Sequence, residues 1–173
     1  MRFRVRFSGP LLLILLFVTQ PLASAQASSG EDLQTLLHDA AYVLNRYEET
    51  TTGMDVEIDS WNVEASVRES SKEAISAVTK NVDWEKPKLN ALLTEKDIPA
   101  ADLFDVYQEV TEVGGELNDQ SSNFANWGND PSKSVDIARL AARANVLGAK
   151  IGVQLRHKLA EQDVRLNACS GKR

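Results

Sequence analysis

The sequence predicts an all-α protein: an antiparallel four-helix bundle with one additional short helix, preceded by a cleavable signal peptide. Three observations predict this class. In the well-marked segments after residue 30, apolar residues recur at spacings of three and four, which is the period of a helix. The predicted helices are joined by short connections, which favours antiparallel neighbours. Aromatic residues make up only 6% of the chain, which is low for a sandwich or barrel packed with large rings.

The first 25 residues have the features of a secretory signal peptide. Three arginines precede an unbroken apolar run over residues 11–18, and small residues follow in A-x-A patterns that end at Ala25 and Ala27. The apolar run is too short to span a bilayer, which takes about 20 apolar residues, and an uncleaved anchor is the alternative. The sequence therefore predicts cleavage near Ala25 or Ala27 and a mature chain that is periplasmic or secreted.

The mature chain is interpreted as a single domain over residues 31–168 with a short tail over 169–173, because no repeat or linker divides it. The first predicted helix begins at Glu31, and its apolar face is formed by Leu33, Leu36, Leu37, Ala40, Val43, Leu44 and Tyr47. The segment Thr50–Gly53 combines β-branched residues with a glycine and predicts a turn. A helix that continues across this segment is the alternative.

Residues 55–82 are predicted to be helical, although their first part is ambiguous. Met54, Ile58, Trp61 and Ala65 fit the helical period, but the residues around them also alternate as in a strand, with a phase slip at Ser60. A short hairpin over residues 54–67 is therefore the competing prediction.

The next two helices are predicted from start signals and apolar periodicity. Asp83 is a candidate cap for a short helix that ends at Lys96, with Pro87 tolerated in its first turn. Pro99 is the predicted first residue of the following helix, whose apolar stripe runs from Leu103 to Phe124. Gly114 and Gly115 interrupt that helix and indicate a kink or a close contact with another helix.

The last predicted helix starts at the Asp130-Pro131 signal and runs to about Ala168. At 1.5 Å per residue its length is about 57 Å, so it must overhang the other helices or bend. Gly148 and Gly152 are the predicted positions for a bend or for the close approach of a partner helix.

The sequence contains no recognised catalytic or cofactor motif, so no catalytic, metal or cofactor-binding residue is predicted. It has no GxSxG, HExxH, P-loop, dinucleotide-binding glycine pattern or Glu-x-x-His pair. Cys169 is the only cysteine and is interpreted as an ordinary residue of the tail. Met54 and His157 are the one pair considered as ligands of a haem. On a helical wheel, however, His157 lies opposite the apolar stripe of the last helix, which argues against a haem ligand in the core.

Charge is strongly segregated along the chain. The net charge changes from −6 to −9 when the leader is removed, because the leader has three arginines and no acidic residue. This acidic balance argues against nucleic acid and against anionic lipid as partners. Residues 31–119 carry 21 acidic and seven basic residues, whereas residues 120–173 carry four acidic and nine basic residues. Pairing within the molecule is the preferred interpretation, and an anionic partner is the alternative.

These observations lead to the hypothesis of an exported, non-catalytic helical bundle that acts through protein–protein binding or self-association. The candidate partner-binding residues are Arg139, Arg143 and Lys150, which share one side of the last helix, and Trp127, which stands where a helix gives way to a loop. The alternative is a bundle that carries haem or an apolar small molecule. An enzyme with an unrecognised site ranks third.

Overall fold

The computed structural model describes residues 32–170, and their side chains as far as residue 163. This part of the chain contains five helices and no strand: α1 (Leu33–Thr51), α2 (Met54–Asp59), α3 (Ala65–Leu92), α4 (Ala100–Trp127) and α5 (Pro131–Ser170). The prediction of an all-α protein is confirmed for these residues. The predicted signal peptide lies outside the described residues.

Helix α1 begins and ends at local signals that the sequence carries. The helix begins two residues after the predicted start at Glu31. The Asp32 carboxylate caps its first turn by accepting a hydrogen bond from the backbone N–H of Gln34 at 3.3 Å. The helix ends at Thr51, and Gly53 follows with φ +79°, a left-handed conformation that favours glycine. The predicted turn is confirmed, and the alternative of a helix that continues across it is wrong.

The region after this turn is helical but is divided in two. Helix α2 ends at Asp59, and residues 60–64 connect it to α3. The Arg68 guanidinium holds this connection by donating hydrogen bonds to the carbonyl oxygens of Trp61 at 3.1 Å and Val63 at 2.5 Å. The competing prediction of a hairpin over residues 54–67 is wrong, and the predicted helix over 55–82 is correct except for this break.

Helix α3 continues to Leu92, so the predicted separate helix from Asp83 to Lys96 is wrong. Asp83 is an exposed residue inside α3, and Pro87 lies in the helix interior rather than in a first turn. The physical reason is that one apolar stripe has buried residues on the same face of the helix before and after the junction. That stripe comprises Ile75, Val78, Val82, Leu89 and Leu92.

Helices α4 and α5 start within one residue of the predicted positions. Pro99 is the residue before α4 rather than its first residue. Helix α5 begins at Pro131 as predicted, and the Asp130 carboxylate accepts a hydrogen bond from the backbone N–H of Ser132 at 2.9 Å. The Ser132 hydroxyl also donates a hydrogen bond to this carboxylate at 2.6 Å, and the side-chain hydrogen bond, followed by the backbone one, lowers the pKa of Asp130.

The most extensive helix–helix contact joins α4 and α5, and small residues permit it. A Cβ atom on Gly148 would lie 3.1 Å from Thr111 Oγ1, and one on Gly152 would lie 3.1 Å from the Tyr107 ring. A Cβ atom on Gly114 would lie 2.5 Å from Asn145 Oδ1. The predicted close approach of a partner helix at these glycines is therefore confirmed.

The apolar faces of all five helices share one core. Helix α1 contacts α3, α4 and α5, helix α4 contacts α3 and α5, and α2 packs on α3. Trp61, which lies between α2 and α3, is the largest side chain that is almost fully buried. Of the other tryptophans, Trp84 is exposed and Trp127 is half-buried.

Two glycine substitutions are expected to have opposite effects on stability. Gly53→Ala should cost about 1–2 kcal/mol of unfolding free energy, because an L-residue resists the left-handed conformation. Gly115→Ala should add about 1 kcal/mol, because Gly115 is helical and its Cβ would meet nothing within 4 Å. Urea unfolding measures both changes. Unchanged or increased stability in Gly53→Ala would contradict this account of the α1–α2 turn, and a loss of stability in Gly115→Ala would contradict the open space at that position.

Candidate interaction surfaces

The three predicted basic residues line the surface between α5 and α1. Arg143 Nη2 donates a hydrogen bond to Asp39 Oδ1 of α1 at 2.9 Å, and its guanidinium lies 4.1 Å from the centre of the Tyr42 ring. Arg139 pairs with Asp136 on its own helix at 3.1 Å. Lys150 lies farther along α5 on the same surface as Arg143. Arg139, Arg143 and Lys150 are called the basic stripe below.

Two shallow grooves adjoin at Arg143, which lines both. One has a volume of about 390 Å³ and is lined by Asp39, Ala142, Arg143, Val146, Leu147 and Lys150. The other has a volume of about 340 Å³ and is lined by Tyr42, Arg46, Thr50, Asp136, Arg139, Leu140 and Arg143. Val146 is an apolar residue with 59% of its surface exposed. The α1–α5 face therefore combines cationic side chains with accessible apolar surface.

Trp127 belongs to a different cluster from the basic stripe. Its ring lies 5.6 Å from the Trp61 ring, which in turn packs edge-to-face on Phe124 at 5.1 Å. The Lys133 ammonium lies 5.0 Å from the Phe124 ring. The structure thus brings the predicted basic residues together and places Trp127, half-buried, in an aromatic cluster at the start of α5.

Several cations of α5 pair with acids from the acidic part of the chain, residues 31–119. Lys133 pairs with Glu57 of α2, Arg143 with Asp39 of α1, and Lys158 with Asp97, which precedes α4. The preferred interpretation of the charge segregation, pairing within the molecule, is confirmed for these three cations. Because the pairs are partly exposed, each contributes at most about 1 kcal/mol to stability.

Helix α4 carries a second charged feature that the sequence reasoning missed. It has six acidic residues and no lysine or arginine, and the acids recur at spacings of three and four. We call them the carboxylate stripe: Asp102, Asp105, Glu109, Glu112, Glu116 and Asp119. Each acid directly precedes a residue of the buried face, so the stripe runs along the edge of the core beside α3. This one-residue offset from the apolar stripe is the signal in the sequence that could have found it.

Glu109 is the buried member of the carboxylate stripe. Only 5% of its surface is exposed, and its Oε1 atom is buried without a hydrogen-bond partner. Burial, and then the nearby carboxylates of Glu112 and Glu85, raise the pKa of Glu109 to about 7. We call the boundary where α3 packs against α4 the α3–α4 seam. It therefore contains a carboxyl group whose negative charge is poorly compensated.

Other polar groups of the seam surround Glu109 on both sides. Asn81 of α3 donates a hydrogen bond to Glu112 at 3.2 Å. The Gln120 amide donates to Glu116 at 2.7 Å, while its own Oε1 atom is buried without a partner. Burial raises the pKa of Glu116 as well. Amides rather than cations thus make the hydrogen bonds to this part of the stripe.

A groove of about 220 Å³ lies at the other end of the α3–α4 seam, and we call it the acidic groove. Its charged lining consists of Glu85, Glu95, Asp102, Asp105 and Lys88, and its apolar lining consists of Ala91, Leu92 and Val106. Lys88 pairs with Glu85 at 2.6 Å and lies 5.4 Å from the exposed Trp84 ring.

The remaining candidates for chemistry do not converge on a site. His38 and His157 are both exposed, whereas Met54 is fully buried. Among the side chains that the structure describes, no three histidine, cysteine or acidic residues are placed to hold a metal ion. The side chain of Cys169 lies outside the described ones. Within the described residues, no helix is long and apolar enough to cross a membrane.

Comparison of this chain with protein-family models, with curated proteins and with solved structures finds no match.

Proposed function

We propose that this protein is exported and acts, without catalysis, by binding a protein partner or a second copy of itself. The observation that carries the proposal is the α1–α5 face, where the basic stripe lines two adjoining grooves and Val146 is exposed. Accessible apolar surface rimmed by charged side chains is typical of protein interaction sites.

Export and the finer architecture are parts of the same proposal. The cationic start, the apolar run over residues 11–18 and the small residues near Ala25 and Ala27 support a cleaved leader and a periplasmic or secreted protein. We place α1, α3, α4 and α5 in an antiparallel four-helix bundle with α2 as the additional short helix. The contacts of α1 and α4 with both α3 and α5, and the short connections between helices, support this arrangement.

The alternative, a bundle that carries haem or an apolar small molecule, has less support. Met54 and His157 are in different environments, one fully buried and the other exposed. The grooves on the α1–α5 face are open and shallow rather than enclosed. An absorbance scan with added haem tests this alternative, because a shifted Soret band would favour it over the binding role.

Removing the charges of the basic stripe is expected to abolish partner binding without unfolding the protein. The full chain and the variant Arg139→Gln, Arg143→Gln, Lys150→Gln should be incubated with the exported fraction of the producing cell. Proteins that bind the unchanged chain, identified by mass spectrometry, should be lost from the variant, and self-association should be compared by sedimentation.

A matched control removes three cations from other exposed positions: Lys80→Gln, Lys96→Gln and Arg156→Gln. This control changes the net charge equally and should retain the partner. Equal capture by both variants, or neither partner nor self-association with the unchanged chain, would count against the proposed function.

A further inference from the structure

The carboxylate stripe contains more negative charge than its neighbours in the fold compensate. Only 5% of the Glu109 surface is exposed, and its Oε1 atom accepts no hydrogen bond. Helix α4 supplies no cation of its own, and Lys88 is already paired with Glu85. Leaving a buried carboxylate oxygen without a donor costs free energy. A cation that pairs with the exposed acids on either side of Glu109, Asp105 and Glu112, would lower this cost through its charge rather than by direct contact.

The acidic groove adds apolar surface to this charge. Ala91, Leu92 and Val106 line it together with four carboxylates, and the exposed Trp84 stands next to it beside Lys88. A lysine or arginine side chain matches this combination, because its alkyl part covers apolar surface while its cationic end reaches a carboxylate. A tryptophan face also attracts cations.

The regular spacing of the stripe indicates the form of the ligand. Asp102 and Asp119 are 17 residues apart, which is about 26 Å along α4. Carboxylates at spacings of three and four match cations at the same spacings on a second helix laid alongside. A helix of about 18 residues would cover the whole stripe.

A second copy of this chain is a poor occupant. Two mature chains each carry a net charge of −9 once the leader is removed, which weakens a contact between copies at this acidic face in particular. In addition, cations of α5 such as Arg143, Lys133 and Lys158 already pair within their own molecule. The cations that the stripe needs must therefore come from another protein.

We propose that the α3–α4 seam, from the acidic groove along the carboxylate stripe, is the docking surface for a cationic amphipathic helix of a partner protein. The helix presents lysine or arginine at every third or fourth position. This inference rests on the proposed binding role but concerns the face formed by α3 and α4, which shares no residue with the basic stripe.

The test uses the full chain and a synthetic helical peptide of about 18 residues that carries lysine at every third or fourth position among alanine and leucine. A second peptide of the same composition has its lysines spread around the helix. Binding is measured by calorimetry at about 50 and about 300 mM salt, because exposed ion pairs weaken as salt screens them.

The test variant neutralises the exposed acids of the stripe: Asp105→Asn, Glu112→Gln and Asp119→Asn. The matched control neutralises three exposed acids elsewhere: Asp55→Asn, Glu69→Gln and Glu73→Gln. On α3, Glu69 and Glu73 each lie about 160° around the helix from Ser71, which faces α4. Both variants lose the same formal charge.

We expect the patterned peptide to bind the unchanged chain more tightly than the spread peptide, and more weakly at high salt. The stripe variant should bind at least about tenfold more weakly than the unchanged chain, which is about 1.4 kcal/mol, and the control variant within about twofold. Backbone amide shifts that the peptide causes in the unchanged chain should concentrate in α3 and α4, a readout that does not depend on the folding of any variant.

Three outcomes would overturn the inference: no binding of the patterned peptide, equal loss of affinity in the two variants, or shifts centred on α1 and α5. Salt-sensitive self-association of the unchanged chain that the stripe variant abolishes would also overturn it, in favour of a second copy as the occupant. If the peptide fails while the basic stripe still captures a partner, the docking surface is wrong and the proposed function stands. If the peptide binds and the basic stripe captures nothing, the α3–α4 docking surface stands and the assignment of partner binding to the basic stripe is wrong.

Discussion

Replacing Trp61 with alanine is expected to lower the free energy of unfolding by about 3–5 kcal/mol, the range for removing a buried large aromatic side chain. Trp61 has only 2% of its surface exposed, although it lies in the connection between two helices. Its ring contacts the rings of Phe124 and Trp127, so its loss leaves a cavity between the connection and the end of α4. The connection itself cannot collapse freely, because Arg68 holds the Trp61 and Val63 carbonyls.

Trp84→Ala is the matched control, because 71% of the Trp84 surface is exposed and the same atoms are removed. The control should change the unfolding free energy by less than about 0.5 kcal/mol. Urea unfolding followed by circular dichroism measures both variants independently of tryptophan fluorescence. Similar costs for the two substitutions, or a cost below about 1 kcal/mol for Trp61→Ala, would mean that Trp61 does not anchor the connection.

The helices that could be predicted from the sequence are those whose local signals and apolar periodicity agree. Helix α5 is the clearest case, since Asp130 caps it, Pro131 starts it, and its buried face contains Ile137, Ala144 and Ile151 at helical spacing. Helix α1 is similar, with Asp32 at its start and Gly53 just beyond its end. In both cases a short stretch of chain contains all the information that fixes the boundary.

The boundaries that were predicted wrongly depend on contacts between distant residues. Met54, Ile58 and Trp61 fit a helical period, yet Trp61 reaches the core from a non-helical connection, because Phe124 and Trp127 of α4 receive its ring. Asp83 has the residue type of a helix cap, but the buried stripe on both sides of it keeps α3 helical through Pro87. At both places packing between distant residues, and not local propensity, determines the backbone structure.

The candidate surfaces divide in the same way. Helix geometry alone predicts that one side of α5 carries Arg139, Arg143 and Lys150. The contact of Arg143 with Asp39 and Tyr42, in contrast, requires that α1 packs beside α5. The spacing of the acids of α4 is likewise contained in its own sequence. Whether one of them is buried depends on how α3 covers that edge of α4, which the sequence of α4 does not contain.

Neutralising Glu109 is expected to stabilise the protein at alkaline pH and to leave it nearly unchanged in acid. The pKa of Glu109 rises from 4.5 to about 7 on folding, so the folded chain binds the proton more tightly than the unfolded chain. Protonation therefore favours the fold: its stabilisation is fully present below about pH 4.5 and is lost as the pH rises through about 7. Each pKa unit is about 1.4 kcal/mol, so the loss amounts to at most about 3.5 kcal/mol.

The charged and titratable groups around Glu109 set the sign of this effect. Glu112 lies on the same helix and Glu85 on α3, and both carboxylates disfavour a charge on Glu109. Tyr47 of α1 is buried, and burial raises its pKa well above the ordinary value, so it stays neutral over this range. Burial also raises the pKa of Glu116. The free energy of unfolding of Glu109→Gln should therefore still decrease as the pH rises.

The measurement is the free energy of urea unfolding at about pH 4, 6 and 8 for the unchanged chain, Glu109→Gln and Glu73→Gln. The difference between Glu109→Gln and the unchanged chain should be near zero at about pH 4 and should grow to as much as about 3.5 kcal/mol in favour of the variant at about pH 8. Glu73 is exposed on α3, so Glu73→Gln should follow the unchanged chain within about 0.5 kcal/mol throughout. If Glu109→Gln is destabilising at about pH 8, the carboxylate is compensated inside the seam. Such a result would also remove the main reason for expecting a cation from outside.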